Sequence, residues 1–363
     1  MAEKLKNIVE DVAADFLNNS LALRFDICTC SSCKNAMLAE VLSRVPAKYV
    51  TTEEATLRAV IEETRLEHQA QIAKAVIEAI ERVSKNPQHE QKEDRQKAFR
   101  LLLNKIFDDR GLDFRHYREE VLKRRLALRM RLNKVESYAD YLRLLINKPE
   151  EYERLFEILC INVSEFFRDP DVWVSLGETL ENLIRQKIKE KGPLRIWSAG
   201  CANGEEPYSL AILAREILKK LNTLDYPLEV FATDIDKQSL KIAQDAEYTK
   251  ESLKNVSEKL LKIYFTHLDG HYRINPEIKN MVKLQYLDLI SQENINDTDI
   301  VLCRNVFIYF TRSLQEQLLM KFYRSLRTNG YLVMGKVETM WGEAKEIFTE
   351  VDQKARVFRK KIN

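Results

Sequence analysis

No apolar run in the 363 residues approaches the ~20 needed to cross a bilayer as a helix. The opening MAEKLKNIVEDVAADF alternates charged with apolar residues where a secretory signal would hold a hydrophobic block. Direct membrane insertion is therefore not expected, and the chain is placed in the cytoplasm. An excess of one charge is also lacking. The 58 Lys+Arg stand against 56 Asp+Glu, a formal net charge of +2, which excludes a nucleic-acid coat or an acidic solvating tail. Six cysteines, at 28, 30, 33, 160, 201 and 303, make one tight cluster and three singles, which is no disulfide framework and suits a reducing compartment. Internal repeats and low-complexity tracts are missing too. What is present is the 45% hydrophobic and 31% charged composition of a folded chain. Its length suits two or three domains of roughly 100–200 residues each.

The period of the apolar residues divides the chain. In 7–18, Ile8, Val9, Val12, Phe16 and Leu17 share a helical face, and in 66–83 Leu66, Ala70, Ala73, Ile77 and Ile80 do the same. Between them lie the cysteine cluster, a short helix stopped near Pro46, and Thr51-Thr52-Glu53-Glu54, which offers capping residues to the long helix. Residues 1–85 thus read as an all-helical domain, and the apolar-poor 86–95 as linker. From 96 to 170 the pattern is again helical. Beyond Pro193 the period changes: LRIWSAG, LEVFATDI, MVKLQYL, DIVLCRNV and GYLVMGKV are of strand length and alternate with helical stretches. That alternation predicts a doubly wound, parallel, Rossmann-like α/β sheet over 171–363.

The first strand ends at Gly200-Cys201-Ala202-Asn203-Gly204-Glu205-Glu206, and a helix opens beside Pro207. In a doubly wound sheet, ligands sit at the carboxyl ends of the strands, where a glycine turn lets backbone N–H groups approach. Here two carboxylates stand where a pyrophosphate would lie, which repels phosphate and suits a cation. Asp234 and Asp236, at the end of the second strand, are placed to accept from a ribose diol. A nucleoside with positive charge and no phosphates satisfies both features, and S-adenosylmethionine is one. An ordinary α/β loop whose acids cap helices is the other reading. Two further stretches call for attention: INVSEFFRDP (161–170) before the sheet, and DIVLCRNVFIYF (299–310), whose Arg304, Asn305 and Tyr309 lie at a strand's carboxyl edge. Of Phe166, Phe167, Phe307 and Phe310, at least two are expected to be plain core.

In this order the motifs RRLALRM (124–130), NVSEFFRDP, RIWSAGCANGEEPYSLA, ATDID, CRNVFIYF and GKVE (335–338) resemble the chemotaxis receptor methyltransferases, the CheR family of S-adenosylmethionine-dependent glutamate O-methyltransferases, over residues 97–361. The resemblance implies a class I methyltransferase sheet. It also implies cofactor contacts from Asn162, Ser164, Arg168, Glu205, Asp234, Asp288, Leu289, Cys303 and Arg304, with Arg168 and Tyr309 near the transferred methyl. Ser164 replaces a commoner Thr, and Asp288 a usual Asn. Relative to the family there is a small insertion at 247–281, whose loop HLDGHYRIN lacks an evident glycine-rich stretch of the kind by which some members grip a receptor's terminal peptide. A non-catalytic cofactor-sensing or receptor-bridging protein is the alternative from another class.

Residues 96–150 carry 14 basic against 8 acidic side chains. On family grounds the basic helix, with Arg118, Arg124, Arg125, Arg129 and Arg131, docks the glutamate-rich methylation helices of a chemoreceptor; a solvated bundle face is the plainer reading. Nucleic acid is not expected as a partner, because no aromatics are interleaved with these charges. In the first domain, Cys28, Cys30 and Cys33 offer three thiolates to a zinc ion, with His68, His89, water or a second chain as fourth ligand, or else remain reduced cysteines in a turn. Residues 5–83 resemble the ComFB family through the CxCxxC knuckle and Val45-Pro46-Ala47-Lys48-Tyr49-Val50. That resemblance implies a zinc-associated, homodimeric helical module and a cyclic dinucleotide, cyclic di-GMP or cyclic di-AMP, as regulator. Its candidate contacts are Arg24, Arg44, Lys48 and Tyr49.

Overall fold

The structure, a computed structural model, describes residues 6–22, 24, 27–50, 66–85, 92–160 and 162–361. The chain forms two compact units, Met1–Arg115 with Glu119–Leu159, and His116–Arg118 with Cys160–Asn363.

In the first unit, α1 (Ile8–Ala22), α2 (Ser31–Leu42) and α3 (Leu66–Lys85) pack together, and β1 (Lys6–Asn7) pairs antiparallel with β2 (Tyr49–Val50). Val9, Ala13, Leu17 and Leu21 of α1 bury against Met37 and Val41 of α2. The buried stripe of α3 is Ile72, Val76, Ala79, Ile80 and Val83, whereas Ile77 is 57% exposed. This corrects the face expected for that helix. Both sets have helical spacing, and the one richer in branched side chains removes more apolar area from water. The capping stretch 51–54, the side chain of His68 and all of His89 lie outside the described residues. Four more helices follow: α4 (Lys92–Arg110), α5 (Glu119–Leu132), α6 (Tyr138–Asn147) and α7 (Glu151–Leu159). Helix α4 opens inside the stretch read as linker, because KEDRQK, though apolar-poor, is rich in good helix formers. Ser137 caps α6 by accepting from Asp140 N at 3.0 Å.

The second unit opens with α8 (Pro170–Glu190). It continues through β3 (Leu194–Ala199), α9 (Glu205–Lys220), β4 (Leu228–Asp234), α10 (Lys237–Asp245), β5 (Glu247–Tyr248), α11 (Glu258–Tyr264), β6 (Phe265–Leu268), β7 (His271–Ile274), α12 (Pro276–Lys279), β8 (Val282–Tyr286) and β9 (Thr298–Cys303). It closes with α13 (Arg312–Ser325), β10 (Leu326–Met334), α14 (Ala344–Ile347), β11 (Phe348–Asp352) and β12 (Val357–Lys360). Seven strands form one sheet in the order β11-β12-β10-β9-β3-β4-β8. Strands β10, β9, β3, β4 and β8 run parallel, as the sequence predicts; β12 runs antiparallel to both β10 and β11. The short 353–356 connection allows only an antiparallel return, since a parallel crossover needs about a dozen residues. Alternation along β9 feeds both faces: Ile300 and Leu302 enter one core layer, Val301 and Cys303 the other. Because β4 and β9 flank β3, the chain reverses direction of winding at β3, and the crevice outside its carboxyl end is where such a sheet binds ligands. Strands β5, β7 and β6 form a separate three-stranded sheet within 247–281. No helix among the described residues is long and apolar enough to cross a membrane.

Candidate active site

The turn from β3 into α9 requires glycine twice. Gly200 has φ +80° and an added Cβ would lie 2.5 Å from Val306 Cγ2; Gly204 has φ +93° and its Cβ would meet Ala243 Cβ at 2.8 Å. Glu205 is the first residue of α9, 3% exposed, and its Oε2 has no hydrogen-bond partner. Burial pushes its carboxyl up to about 7. At the end of β4, Asp234 accepts from Ala202 N at 2.8 Å and Asp236 N at 2.9 Å, and burial raises it to about 6. Asp236 caps α10, accepting from Gln238 N and Ser239 Oγ, both at 2.9 Å, and it also accepts from Asn162 Nδ2. Asn162 O also accepts from Asn203 Nδ2 at 3.5 Å, so Asn162 links the turn after β3 to the loop after β4.

The 162–169 segment is anchored along its length. Phe166 N donates to Ser252 O at 2.9 Å, and its ring stands edge-on to Tyr248, 4.8 Å between centroids. Phe167 N donates to Ser209 Oγ at 3.0 Å. Phe167 and Asp169 hold φ of +51° and +58°, a region that L side chains rarely adopt and that neighbouring bonds must enforce. The carbonyl of Arg168 accepts from Trp173 Nε1 at 2.9 Å and Arg304 Nη2 at 3.0 Å, while Arg168 Nη1 reaches Val163 O at 3.1 Å. Ser164 is half-buried on the same segment.

Arg304 follows β9 directly. Its Nη2 donates to Asp169 Oδ2 at 2.8 Å and its Nη1 to Glu206 Oε2 at 3.3 Å, and Glu206 Oε1 accepts from Ser198 Oγ at 2.8 Å. Cys303 is fully buried, which raises its thiol far above the usual range. Tyr309, half-buried on a short helical turn, accepts from Arg118 N at its carbonyl, 2.9 Å, and Thr311 N returns to His116 O at 2.9 Å. Tyr117 stands edge-on to Phe310, with 5.0 Å between ring centroids. The turn is held from below by Glu338, which accepts from Phe307 N at 2.8 Å and Gly335 N at 2.6 Å. Asp288 is engaged within its own turn, accepting from Ile290 N at 2.9 Å and Ser291 Oγ at 2.6 Å; Leu289 is buried and its carbonyl accepts from Lys321 Nζ at 2.9 Å.

Sequence reasoning cast Glu206 with Glu205 as a charge facing a cation, not as the partner of Arg304 and Ser198, and had no role for Asp169, Ser209 or Trp173. Glu338 was visible only as the last residue of the GKVE motif and as a carboxylate interrupting the apolar run GYLVMGKVETM, with no role attached. Phe166, Phe167, Phe307 and Phe310 are all buried.

In the first unit, Arg129 is not available to a partner, which corrects its place on the docking face. It is buried, bonded through Nε and Nη2 to Glu151 at 2.8 and 2.6 Å, and Glu151 also accepts from Tyr141 Oη at 2.8 Å. Arg129 falls among the buried residues of this helix, with Leu122, Leu126 and Met130, and its carboxylate partner offsets the cost of burying the charge. Arg125 is half-buried and donates to Ile158 O; Arg124 and Arg131 are exposed. In the second unit, Arg118 Nε donates to Phe310 O at 3.2 Å. The Sγ atoms of Cys28, Cys30 and Cys33 lie within 4.8 Å of one another, and Cys30 caps α2 by accepting from Cys33 N at 3.5 Å. Arg44 is paired with Glu40 at 2.8 Å and with Glu78, while Tyr49 is 62% exposed on β2.

A family profile described as CheR methyltransferase, SAM binding domain matches residues 162–357; CheR methyltransferase, all-alpha domain matches 97–160; and late competence development protein ComFB matches 6–87. A chemotaxis protein methyltransferase of Listeria innocua is 31% identical over 253 residues, 69% of this chain and 93% of that protein. A 104.1 kDa protein of Rhodobacter capsulatus is 30% identical over 249 residues, 68% of this chain but only 26% of its own length. The solved structure of PKMT2 from Rickettsia typhi covers 48% of this chain and 26% of its own at 16% identity and TM-score 0.27, too loose a likeness to add to the argument.

Proposed function

The chain belongs to the CheR methyltransferase family, and on that premise we propose that it moves the methyl group of S-adenosylmethionine to glutamate carboxylates on the helical methylation region of chemoreceptors. The observation that supports this most is the buried Glu205 carboxyl with an unpartnered oxygen, set in a glycine turn beside the strand that ends in Asp234. An acid in that place selects a cation. Asp234 keeps lone-pair capacity beyond its two backbone donors, enough to accept from a ribose diol. When bound, S-adenosylmethionine supplies an activated methyl group on a positively charged sulfur.

The chain's own residues have little proton chemistry to perform. A glutamate side chain ionises near ~4.3 and needs no general base at neutral pH. Arg168 orients the incoming carboxylate by charge-assisted hydrogen bonds. Its main chain is fixed by Trp173 and Arg304, so the guanidinium starts from a defined position. Tyr309 lines the methyl path. Excluding water strengthens every one of these charge interactions.

Exposed Arg124 and Arg131 serve to steer acidic receptor helices. The amino-terminal segment serves as a sensory and dimerising module in which Cys28, Cys30 and Cys33 hold zinc and a cyclic dinucleotide tunes adaptation. The sulfur spacing fits the metal: a tetrahedral ion with bonds of ~2.3 Å needs sulfurs ~3.8 Å apart, and these lie within 4.8 Å of one another. The candidate phosphate and stacking contacts of that reading are Arg24, Arg44, Lys48 and Tyr49, of which Arg44 is paired with Glu40 and Glu78.

The test is incubation with tritiated S-adenosylmethionine and receptor-bearing membranes from the same cell. A receptor-sized band should take up label that mild base releases as methanol, the mark of a glutamyl ester, and Arg168→Ala should abolish it. Base-stable label, or near-wild-type turnover of Arg168→Ala, would refute the reading.

A further inference from the structure

We infer that a cavity walled by the cysteine turn, the far end of α5 and the start of α6 binds a phosphate-bearing anion. Its volume is about 520 Å³, inside the ~300–1,000 Å³ range of small-molecule sites. Both helical portions of the first unit contribute cations to it. Arg24 and Lys34 come from the cysteine side; Arg95 comes from α4, Arg131 from the end of α5 and Lys134 from the turn after it. Two acids, Glu120 and Glu136, share the wall. Lys123 is balanced by Glu119 at 2.7 Å. Lys34 and Lys134 make no ion pair among the described residues.

Like charges that converge on a concave wall repel one another and focus a positive potential into the space between them. Lys34 and Arg95 are half-buried in the wall, and Arg131 and Lys134 are exposed. Arg95 is laid against the Tyr138 ring, 5.6 Å from its centroid, and Lys134 sits in the left-handed region at φ +56°, its N–H bonded to Arg131 O at 3.0 Å. Met130 and Tyr138 form a buried apolar floor. The mixture of guanidinium forks with ammonium groups matches phosphoryl oxygens better than a single carboxylate.

The placement differs from the Lys48 and Tyr49 surface on β2, and it has a consequence for the docking helix. Arg131 lies in the last turn of the helix whose exposed face carries Arg124, and Lys134 in the turn that follows it, so an anion in the cavity changes the charge presented at this end of α5. This inference deepens the sensory reading of the amino-terminal module and rests on it for the class of ligand, not for the location of the site.

Calorimetric titration of the full chain with pyrophosphate, cyclic di-GMP and cyclic di-AMP tests it. At least one should bind, more weakly as salt rises. Lys34→Glu/Lys134→Glu should weaken that binding by about tenfold or more, and Lys134→Gln by less, with unchanged melting curves as the check on folding. Binding that survives the charge reversals and is lost in Lys48→Ala/Tyr49→Ala overturns the cavity but leaves the sensory reading standing. Pyrophosphate bound without either dinucleotide supports the cavity and removes the dinucleotide reading. No binding of any probe overturns both.

Discussion

Arg304 Nη2 lies 2.8 Å from Asp169 Oδ2, and the Arg304 side chain is only 2% exposed. One guanidinium thereby ties the end of β9 to the turn before α8, and through Nη1 to Glu206 on α9. It holds three segments of the site in register. Lysine in its place keeps the charge but cannot fork to three acceptors. Arg304→Lys should therefore lower methyl transfer by roughly 10–100-fold, with Arg168 mispositioned as the cause. A labelled-cofactor assay reads this, and unchanged turnover would remove the positioning role.

Glu205 gives a pH signature. Its folded value, pushed up to about 7 by burial, lies above the ordinary 4.5. The folded state thus holds the proton more tightly. The penalty for ionising this carboxyl is absent below 4.5 and complete above about 7. Glu205→Gln should raise the melting temperature of the unliganded protein at pH 8, and the gain should vanish towards pH 4.5. A cationic ligand favours the carboxylate, so wild-type affinity for S-adenosylhomocysteine, whose ammonium group supplies the charge, should rise as pH increases through 7 and then level off. The variant should bind weakly at every pH. Calorimetry at several pH values checks the second part, thermal melts the first.

Arg129 and Arg124 belong to the same helix and should fail in opposite ways. Removing Arg129 leaves Glu151 buried without its cation, a loss of about 3–5 kcal/mol by the usual cost of breaking a buried pair. Burial raises the Glu151 carboxyl, but its bonds with Arg129, Tyr141 and Asn133 outweigh that and hold it below the ordinary range. This contribution is present above that range and fades as pH falls through it. Urea melts of Arg129→Ala at pH 7 and at acid pH would reveal it. Arg124→Glu should leave stability alone and slow association with receptor helices, a rate effect that salt suppresses.

The cysteine turn should carry about one zinc ion per chain. Metal analysis of the isolated protein, with thiol titration before and after chelation, decides this. Cys30→Ser/Cys33→Ser should abolish the metal and lower the melting temperature. Three freely titrating thiols in untreated protein would leave a turn and no metal site.

Much of this was legible in the sequence because strand-length apolar runs and glycine turns act locally. The five parallel strands, the Gly200–Gly204 turn and the Asp234 strand end follow from pattern alone. Strands β11 and β12 were not foreseen: FTEVD is a short edge strand rich in polar residues, and VFRK, between it and β10, has only four residues. Nor was the inward turn of Arg129, since nothing in RRLALRM tells which arginine meets Glu151, twenty-two residues away. The Arg304–Asp169 tie spans 135 residues, and Glu338 reaches back 31 to Phe307. Partnerships of that reach depend on tertiary placement and leave no periodic trace.

The return of Thr311 N to His116 O, with Tyr117 against Phe310, has a practical side for protein engineering. His116–Arg118 belong to the sheet unit although the residues on both sides belong to the helical one. The bundle cannot be excised or grafted as a contiguous cassette. A truncation that starts at Cys160 would strip away the strap beside Tyr309, and a chimera that exchanges 92–159 between paralogues must keep the host's own 116–118.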